Sequence, residues 1–343
     1  MTRRHLHRSS AAAIALFTAL STFATPAAHA YTSGRGLNVD PLNGPAAPPY
    51  YTGYYYDYGY TGYPGGAVDV GGSSIRFKVN SKPCEDCLGG DFGDAVNAML
   101  RDYTWLLNNG YMGAGMPFVV VLNKESMALE RYAFWDYLMY YGYLAYYTMW
   151  YLGAYGNPII LEVWNEPDQP DSWIDSWKEW YLLYYAWWYQ TNYFPNDRVI
   201  VGGLSTGNAG YLNDLRTWGL YAGGVGVHTY SIRQSNSYDL WNYVYGAYVP
   251  YAYNYAGQPL PIYMTEWGCA DSCGSFCYGY VSDLLNNFFR WGGAIAGGNY
   301  WAWSDAQNQR PGSPKFGLFT TIGTTTWAGA AFTGRAWPFS CSQ

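Results

Sequence analysis

A single-domain (β/α)8 barrel, the TIM-barrel member of the α/β class, is the fold this sequence predicts. From Gly36 onward eight short β-rich runs alternate with longer helical stretches, the rhythm of a parallel sheet covered by helices. A chain of 343 residues also holds the ~250 typical of such a barrel with length to spare for loops. The main competitor, an open doubly wound sheet, wants a glycine fingerprint after its first strand, and residues 36–40 carry none.

Taken in chain order, residues 1–30 read as a cleavable export signal. Arg3, Arg4 and Arg8 form a basic start, 11–24 is an apolar stretch, and Ala28-His29-Ala30 puts small residues where a signal peptidase needs them. The stretch falls short of the ~20 apolar residues of a membrane span and contains Thr18, Ser21 and Thr22, so a secreted, extracellular chain starting at Tyr31 is expected, with no membrane span. Residues 31–343 then form the barrel. Strands are expected at 36–40, 74–80, 117–123, 159–165, 198–203, 224–230, 262–267 and 296–303, with helices between them at 92–109, 131–151, 175–192 and 281–291. Between the first two strands, where a helix would ordinarily lie, 50–66 is a low-complexity Tyr/Gly segment that reads as a surface loop.

Composition removes several function classes. Lys and Arg number 18 against 24 Asp and Glu, a net charge of −6 with no basic cluster, which excludes the electrostatic footprint of a nucleic-acid binder. Charged residues make up only 12% of the chain, and aromatics stand where charge is missing: 39 Tyr, 17 Trp and 14 Phe. Runs such as Tyr140-Tyr141-Gly142-Tyr143 and the stretch from Tyr181 to Tyr189 lie in expected helices and cannot all be buried, so the surface should be rich in Tyr. That surface suits self-association or adhesion to an insoluble polysaccharide. The six cysteines, Cys84, Cys87, Cys269, Cys273, Cys277 and Cys341, suit up to three disulfides in an oxidising compartment. No His stands at a spacing that would make them zinc ligands, so neither a metal nor another cofactor is expected. Bridges among the last cluster would brace a loop beside strand seven.

Catalytic groups in such barrels sit at the C-terminal ends of strands. Strand four ends Glu162-Val163-Trp164-Asn165-Glu166-Pro167 and strand seven ends Thr265-Glu266-Trp267-Gly268, so each delivers a glutamate at its exit, across the barrel mouth from the other. Two facing carboxylates are what glycosidic cleavage needs: one donates a proton to the leaving oxygen, and the other attacks the anomeric carbon or activates water. Strand alternation places Glu162, Trp164 and Glu166 on one face, Arg76 and Lys78 inward on strand two, and His228 and Tyr230 inward on strand six. Either Arg76 or Lys78 could pair Glu162 deeper in the barrel.

The Trp164-Asn165-Glu166-Pro167 and Thr265-Glu266-Trp267 segments, with Val227-His228-Thr229-Tyr230 on strand six and 300–305 (YWAWSD) on strand eight, resemble the retaining glycoside hydrolases of clan A, over Gly36 to about Phe332. The cellulase-like and xylosidase-like members are the nearest in pattern. The resemblance implies hydrolysis of β-linked polysaccharide or oligosaccharide, with Glu166 as acid/base, its pKa raised by partial burial and by the charge of Glu266, and Glu266 as nucleophile. It further implies that Arg76 keeps Glu266 ionised, that Tyr230 donates to Glu266, and that His228 contacts the sugar and the nucleophile. Asn165 would bind the sugar 2-hydroxyl, Trp303 would stack on the ring with Trp301 behind it, and Asn123 is a further hydrogen-bonding candidate. A non-catalytic carbohydrate-binding or surface-assembly protein on the same barrel is the alternative, and transglycosylation would use the same residues.

Overall fold

The computed structural model describes residues 34–38, 73–82, 88–108, 111–172, 174–231, 233–272, 274–291, 293–301, 318 and 326–334. The export signal, the Tyr/Gly segment, Trp303 and Cys84, Cys87, Cys273 and Cys341 lie outside them. Eight parallel strands close into a barrel in sequence order: β1 (Gly36–Asn38), β2 (Ile75–Lys78), β3 (Phe118–Leu122), β4 (Ile159–Asn165), β5 (Arg198–Leu204), β6 (Val225–Tyr230), β7 (Ile262–Gly268) and β8 (Ile295–Tyr300). Each expected strand is present. Outside the strands run α1 (Phe92–Asn108), α2 (Phe134–Gly153), α3 (Ser176–Tyr193), α4 (Ala209–Thr217), α5 (Ser237–Ala247), α6 (Ser275–Asn286) and α7 (Trp327–Thr333).

Local chemistry sets the helix ends. Asn208, Asn236 and Thr326 each accept a backbone N–H from the first turn of α4, α5 and α7. The helix expected from residue 131 starts at Phe134 instead, because Leu129–Arg131 turns as a 3-10 helix and Tyr132 is extended. The one expected at 281–291 starts earlier, at Ser275, where a Cys269–Cys277 disulfide with a Cα–Cα distance of 5.6 Å ties its first turn to the end of β7. It stops at Asn286, and a separate 3-10 turn, Phe288–Arg290, follows.

Two layers fill the space around the sheet. Outward residues of the strands, such as Ile75, Phe77, Val120, Leu161 and Val201, merge with the inner helix faces into one large apolar core. Inside the barrel a small plug of Val119, Ile160, Ile200 and Tyr263 closes the N-terminal end, and above it the lumen is polar. No described helix is long and apolar enough to cross a membrane. On α2 and α3 the outer faces carry Trp135, Tyr143, Trp150, Trp177 and Tyr193 at 41–61% exposure, while Tyr137 and Tyr141 turn inward and donate to the carbonyls of Met127 and Leu122. α2 is therefore aromatic on both faces, whereas α3 buries Glu179, Leu182, Leu183 and Ala186.

One buried and one half-buried carboxyl on the outside of the sheet make stability fall toward alkaline pH. Glu179 of α3 is fully buried, and burial pushes its pKa up to about 8 although the Tyr211 hydroxyl and the Gly202 amide favour its charged form. Burial likewise raises Asp197 to about 7. The folded chain binds more protons than the unfolded chain above the ordinary pKa of 4.5 for Glu179, so its contribution is full below that pH and is lost as pH rises through about 8. A Glu179→Gln variant should lose much of this slope, on the order of a few kcal/mol between pH 5 and 8, leaving the Asp197 part. Melting temperatures across that range test it, and parallel profiles for the two proteins would contradict it.

Candidate active site

The polar lumen is organised by one arginine. Arg76 projects inward from β2, is fully buried, and spends all five guanidinium N–H groups. Its Nε donates to Glu162 Oε2 at 2.7 Å, and one terminal nitrogen donates to Asn38 Oδ1 at 2.9 Å and Glu266 Oε1 at 2.6 Å. The other terminal nitrogen donates to Glu162 Oε1 at 3.0 Å and Asn165 Oδ1 at 3.0 Å. Arg76 is thus the partner of Glu162, while Lys78, one layer higher, reaches Glu125 Oε2 at 3.4 Å. Glu162 also accepts from the Gly203 amide at 2.8 Å and the Thr265 hydroxyl at 3.2 Å. Burial works against its charge, but Arg76 and His228 outweigh that and hold its pKa down to about 2.

Glu266 and Glu166 meet over one imidazole. His228 Nδ1 lies 3.0 Å from Glu166 Oε1 and 3.6 Å from Glu266 Oε2, and its Nε2 lies 3.7 Å from Glu162 Oε1. Nε2 also lies 3.3 Å from a terminal nitrogen of Arg76. Burial lowers the His228 pKa, yet Glu266, Glu162 and Glu166 together raise it to about 9, so it is an imidazolium at neutral pH. Room for this ring comes from Gly203, where a Cβ would stand 1.9 Å from His228 Nε2. Tyr230 donates its hydroxyl to Glu266 Oε2. Burial raises the Glu266 pKa, but His228, Arg76, Lys78 and that hydrogen bond reverse it and hold the carboxylate below its ordinary value. The two glutamates differ in access: the Glu266 side chain is 9% exposed and that of Glu166 is 32% exposed.

Both glutamates owe their position to breaks in strand alternation. Trp164 has φ 71° and Glu166 φ 49°, a left-handed conformation that costs a non-glycine residue about 1–3 kcal/mol and is held by its surroundings. Trp164 consequently leaves the face of Glu162, enters the outer core, and donates its indole N–H to Ser172 O at 2.9 Å. The alternation that groups Trp164 with Glu162 and Glu166 fails here, and Asn165 takes the inward place beside Arg76. On β7 the pairing slips between Met264 and Trp267, so Thr265 and Glu266 both reach lumen partners, one at Glu162 and the other at Arg76.

Of the remaining expected residues, Trp301 is half-buried at the exit of β8, its amide bonded to Trp267 O at 2.8 Å. Asn123 is buried and engaged within its own turn: its carbonyl oxygen accepts from the Glu125 and Ser126 amides, and its amide donates to Glu125 Oε2 at 3.0 Å. It thereby fixes Glu125 against Lys78. Asn38 and Glu125 are additions to the expected set. Asn38 is legible as a polar residue of inward parity on β1, with Leu37 outward beside it; Glu125 lies on a loop and has no such signal.

A parallel eight-stranded barrel with two glutamates facing one histidine at the ends of β4 and β7 defines the class of architecture. No protein-family model and no curated protein matches this sequence. Solved structures with a similar fold include a monomeric β-xylosidase from Caulobacter crescentus CB15, 16% identical, with a TM-score of 0.56 over 87% of this chain and 66% of that one. They also include the GH39 enzyme from Xanthomonas axonopodis pv. citri, 16% identical with a TM-score of 0.59 over 89% and 66%, and a glucosidase from Croceicoccus marinus, 11% identical with a TM-score of 0.61 over 89% and 67%. This chain therefore spans about two thirds of the length of these neighbours, and what it shares with them at such identities is the barrel fold.

Proposed function

We propose that this chain is a secreted glycoside hydrolase that cleaves β-linked polysaccharide or oligosaccharide with retention of configuration, with Glu266 as nucleophile and Glu166 as acid/base. The observation that carries the reading is the shared contact with His228 Nδ1, at 3.0 Å from one carboxylate and 3.6 Å from the other. The facing oxygens are then no farther apart than those two lengths end to end. That bound admits the closely set pair of a double displacement, about 5–5.5 Å apart, which is the arrangement proposed here.

The environments suit the two roles. Glu266, buried and held ionised by Arg76, His228 and Tyr230, attacks the anomeric carbon while the bond to the leaving oxygen breaks. Glu166, more open, gives that oxygen its proton. In the second step Glu166 takes a proton from water, the water oxygen bonds the anomeric carbon, and the ester to Glu266 breaks. Asn165 turns its carbonyl to Arg76, which leaves its amide group for the sugar 2-hydroxyl, and Trp301 offers a ring on which the sugar stacks.

The acid role predicts a leaving-group effect. A Glu166→Ala variant should lose about 10²–10⁴-fold in kcat/KM on substrates whose leaving alcohol needs a proton, and far less on aryl glycosides whose phenolate leaves unaided. Steady-state rates over a series of leaving groups measure this, and equal losses along the series would remove Glu166 from the acid role.

A further inference from the structure

A hollow among the described residues lies away from the carboxylates. It measures about 580 Å³ and is lined by Arg216, Gly219, Pro250, Tyr253, Asn254, Tyr255 and Gly257, within the ~300–1,000 Å³ common for small-molecule sites. Arg216 and Gly219 lie between the end of α4 and β6, and the others lie between α5 and β7, so the hollow opens on the N-terminal face of the barrel. A strand length of roughly 20 Å separates the two faces.

We propose that this hollow is a second glycan-binding site, which takes the pyranose rings of a neutral polysaccharide chain and anchors the protein to it. Tyr255 presents a ring 47% exposed, backed by Tyr221 in a stack with centroids 4.8 Å apart and planes 20° apart, and by the edge of Trp187 at 5.5 Å. Across the hollow the Arg216 guanidinium lies 5.6 Å over the Tyr253 ring. A pyranose has the matching character, a C–H face for the flat rings and a rim of hydroxyls for the guanidinium donors.

The display is rigid before any ligand arrives. Asn254 Oδ1 accepts from the Ala256 amide at 3.0 Å and the Gln258 amide at 2.9 Å, its Nδ2 donates to Gln258 Oε1 at 3.1 Å, and the Tyr255 amide donates to Leu220 O at 2.9 Å. Gly219 and Gly257, at φ 86° and 75°, make the two turns that leave the floor open. Preorganised rings of this kind lose little entropy on binding. The lining has no Leu, Ile, Val or Met to favour a lipid or a protein core, and Arg216 is its one charged residue. With a net charge of −6, a phosphodiester polymer is disfavoured as the occupant.

The choice of a glycan rests on the proposed function, since a chain held here raises the local concentration of cleavable bonds at the other face. Affinity electrophoresis of the full chain in gels containing soluble β-glucan, xylan or galactomannan tests it, beside turnover of a small aryl β-glycoside. Retardation by at least one polymer is expected. Tyr255→Ala should weaken it tenfold or more and Arg216→Gln several-fold, with Trp301→Ala in the cleft nearly neutral for retardation and both pocket variants unchanged in aryl glycoside turnover. No retardation of the wild type, or retardation lost with Trp301→Ala and kept with Tyr255→Ala and Arg216→Gln, would overturn the site while leaving the hydrolase reading intact. Tyr255-dependent retardation without any turnover would uphold the site and sink the hydrolase reading.

Discussion

Glu266→Ala should lower turnover of a β-glycoside by about 10⁴-fold or more and leave the melting temperature close to that of the wild type. The expected loss is this large because in the proposed mechanism the residue forms the bond to the anomeric carbon, and no other group in the site would replace that step. Tyr230 and His228 are donors, Glu162 is consumed by Arg76, Gly203 and Thr265, and Glu166 would serve the opposite side of the bond. Stability survives because Arg76 keeps four of its five hydrogen bonds, to Glu162, Asn38 and Asn165. Initial rates on an aryl β-glycoside together with a thermal melt measure both halves. A variant retaining a tenth of wild-type activity would assign the nucleophile elsewhere.

Arg76→Met should have the largest effect on stability. The guanidinium is the hub between Glu162 at 0% exposure and Glu266 at 7%, and its removal strands two carboxylates in the lumen. Breaking a buried ion pair by deleting one partner costs about 3–5 kcal/mol, because the survivor keeps its desolvation penalty. Lysine should rescue little of this, since a point charge with three donors cannot span Glu162, Glu266, Asn38 and Asn165. The pH dependence carries the diagnostic sign. In the wild type the depressed pKa of Glu162, about 2, contributes stability that is present above 4.5 and lost as pH falls toward 2. Without Arg76 the stranded carboxyls take up protons on folding, so the deficit should shrink as pH falls from 7 to 4.5. Urea unfolding at the two pH values measures it, and a deficit below about 1 kcal/mol or one independent of pH would contradict the hub.

The barrel was legible because its signal is a count: eight β-rich runs with helices between them, each strand later found near its expected span. The glutamates were legible because strand exits are where a barrel displays chemistry. Less visible was how they are aimed. Simple alternation puts Trp164 beside Glu162, yet a single positive φ at Trp164 turns it into the outer core and brings Asn165 inward. A local backbone conformation of that kind is set by tertiary packing and leaves no periodic trace. Loop-borne contributors such as Glu125, and the aromatic hollow at Tyr253 and Tyr255, are brought together only by the closed barrel. The bond from Cys269 to Cys277 beside the start of α6 was not legible either, since six cysteines permit many pairings.

The measurement that bears most directly on the hydrolase reading is reducing-sugar release from a panel of β-glucans, mannans, xylans, galactans and bacterial exopolysaccharides, run with the wild type and with Glu266→Ala side by side. Release from at least one polymer by the wild type, and none by the variant, is the predicted result. Equal release by both proteins, or none by the wild type on any polymer, would contradict it.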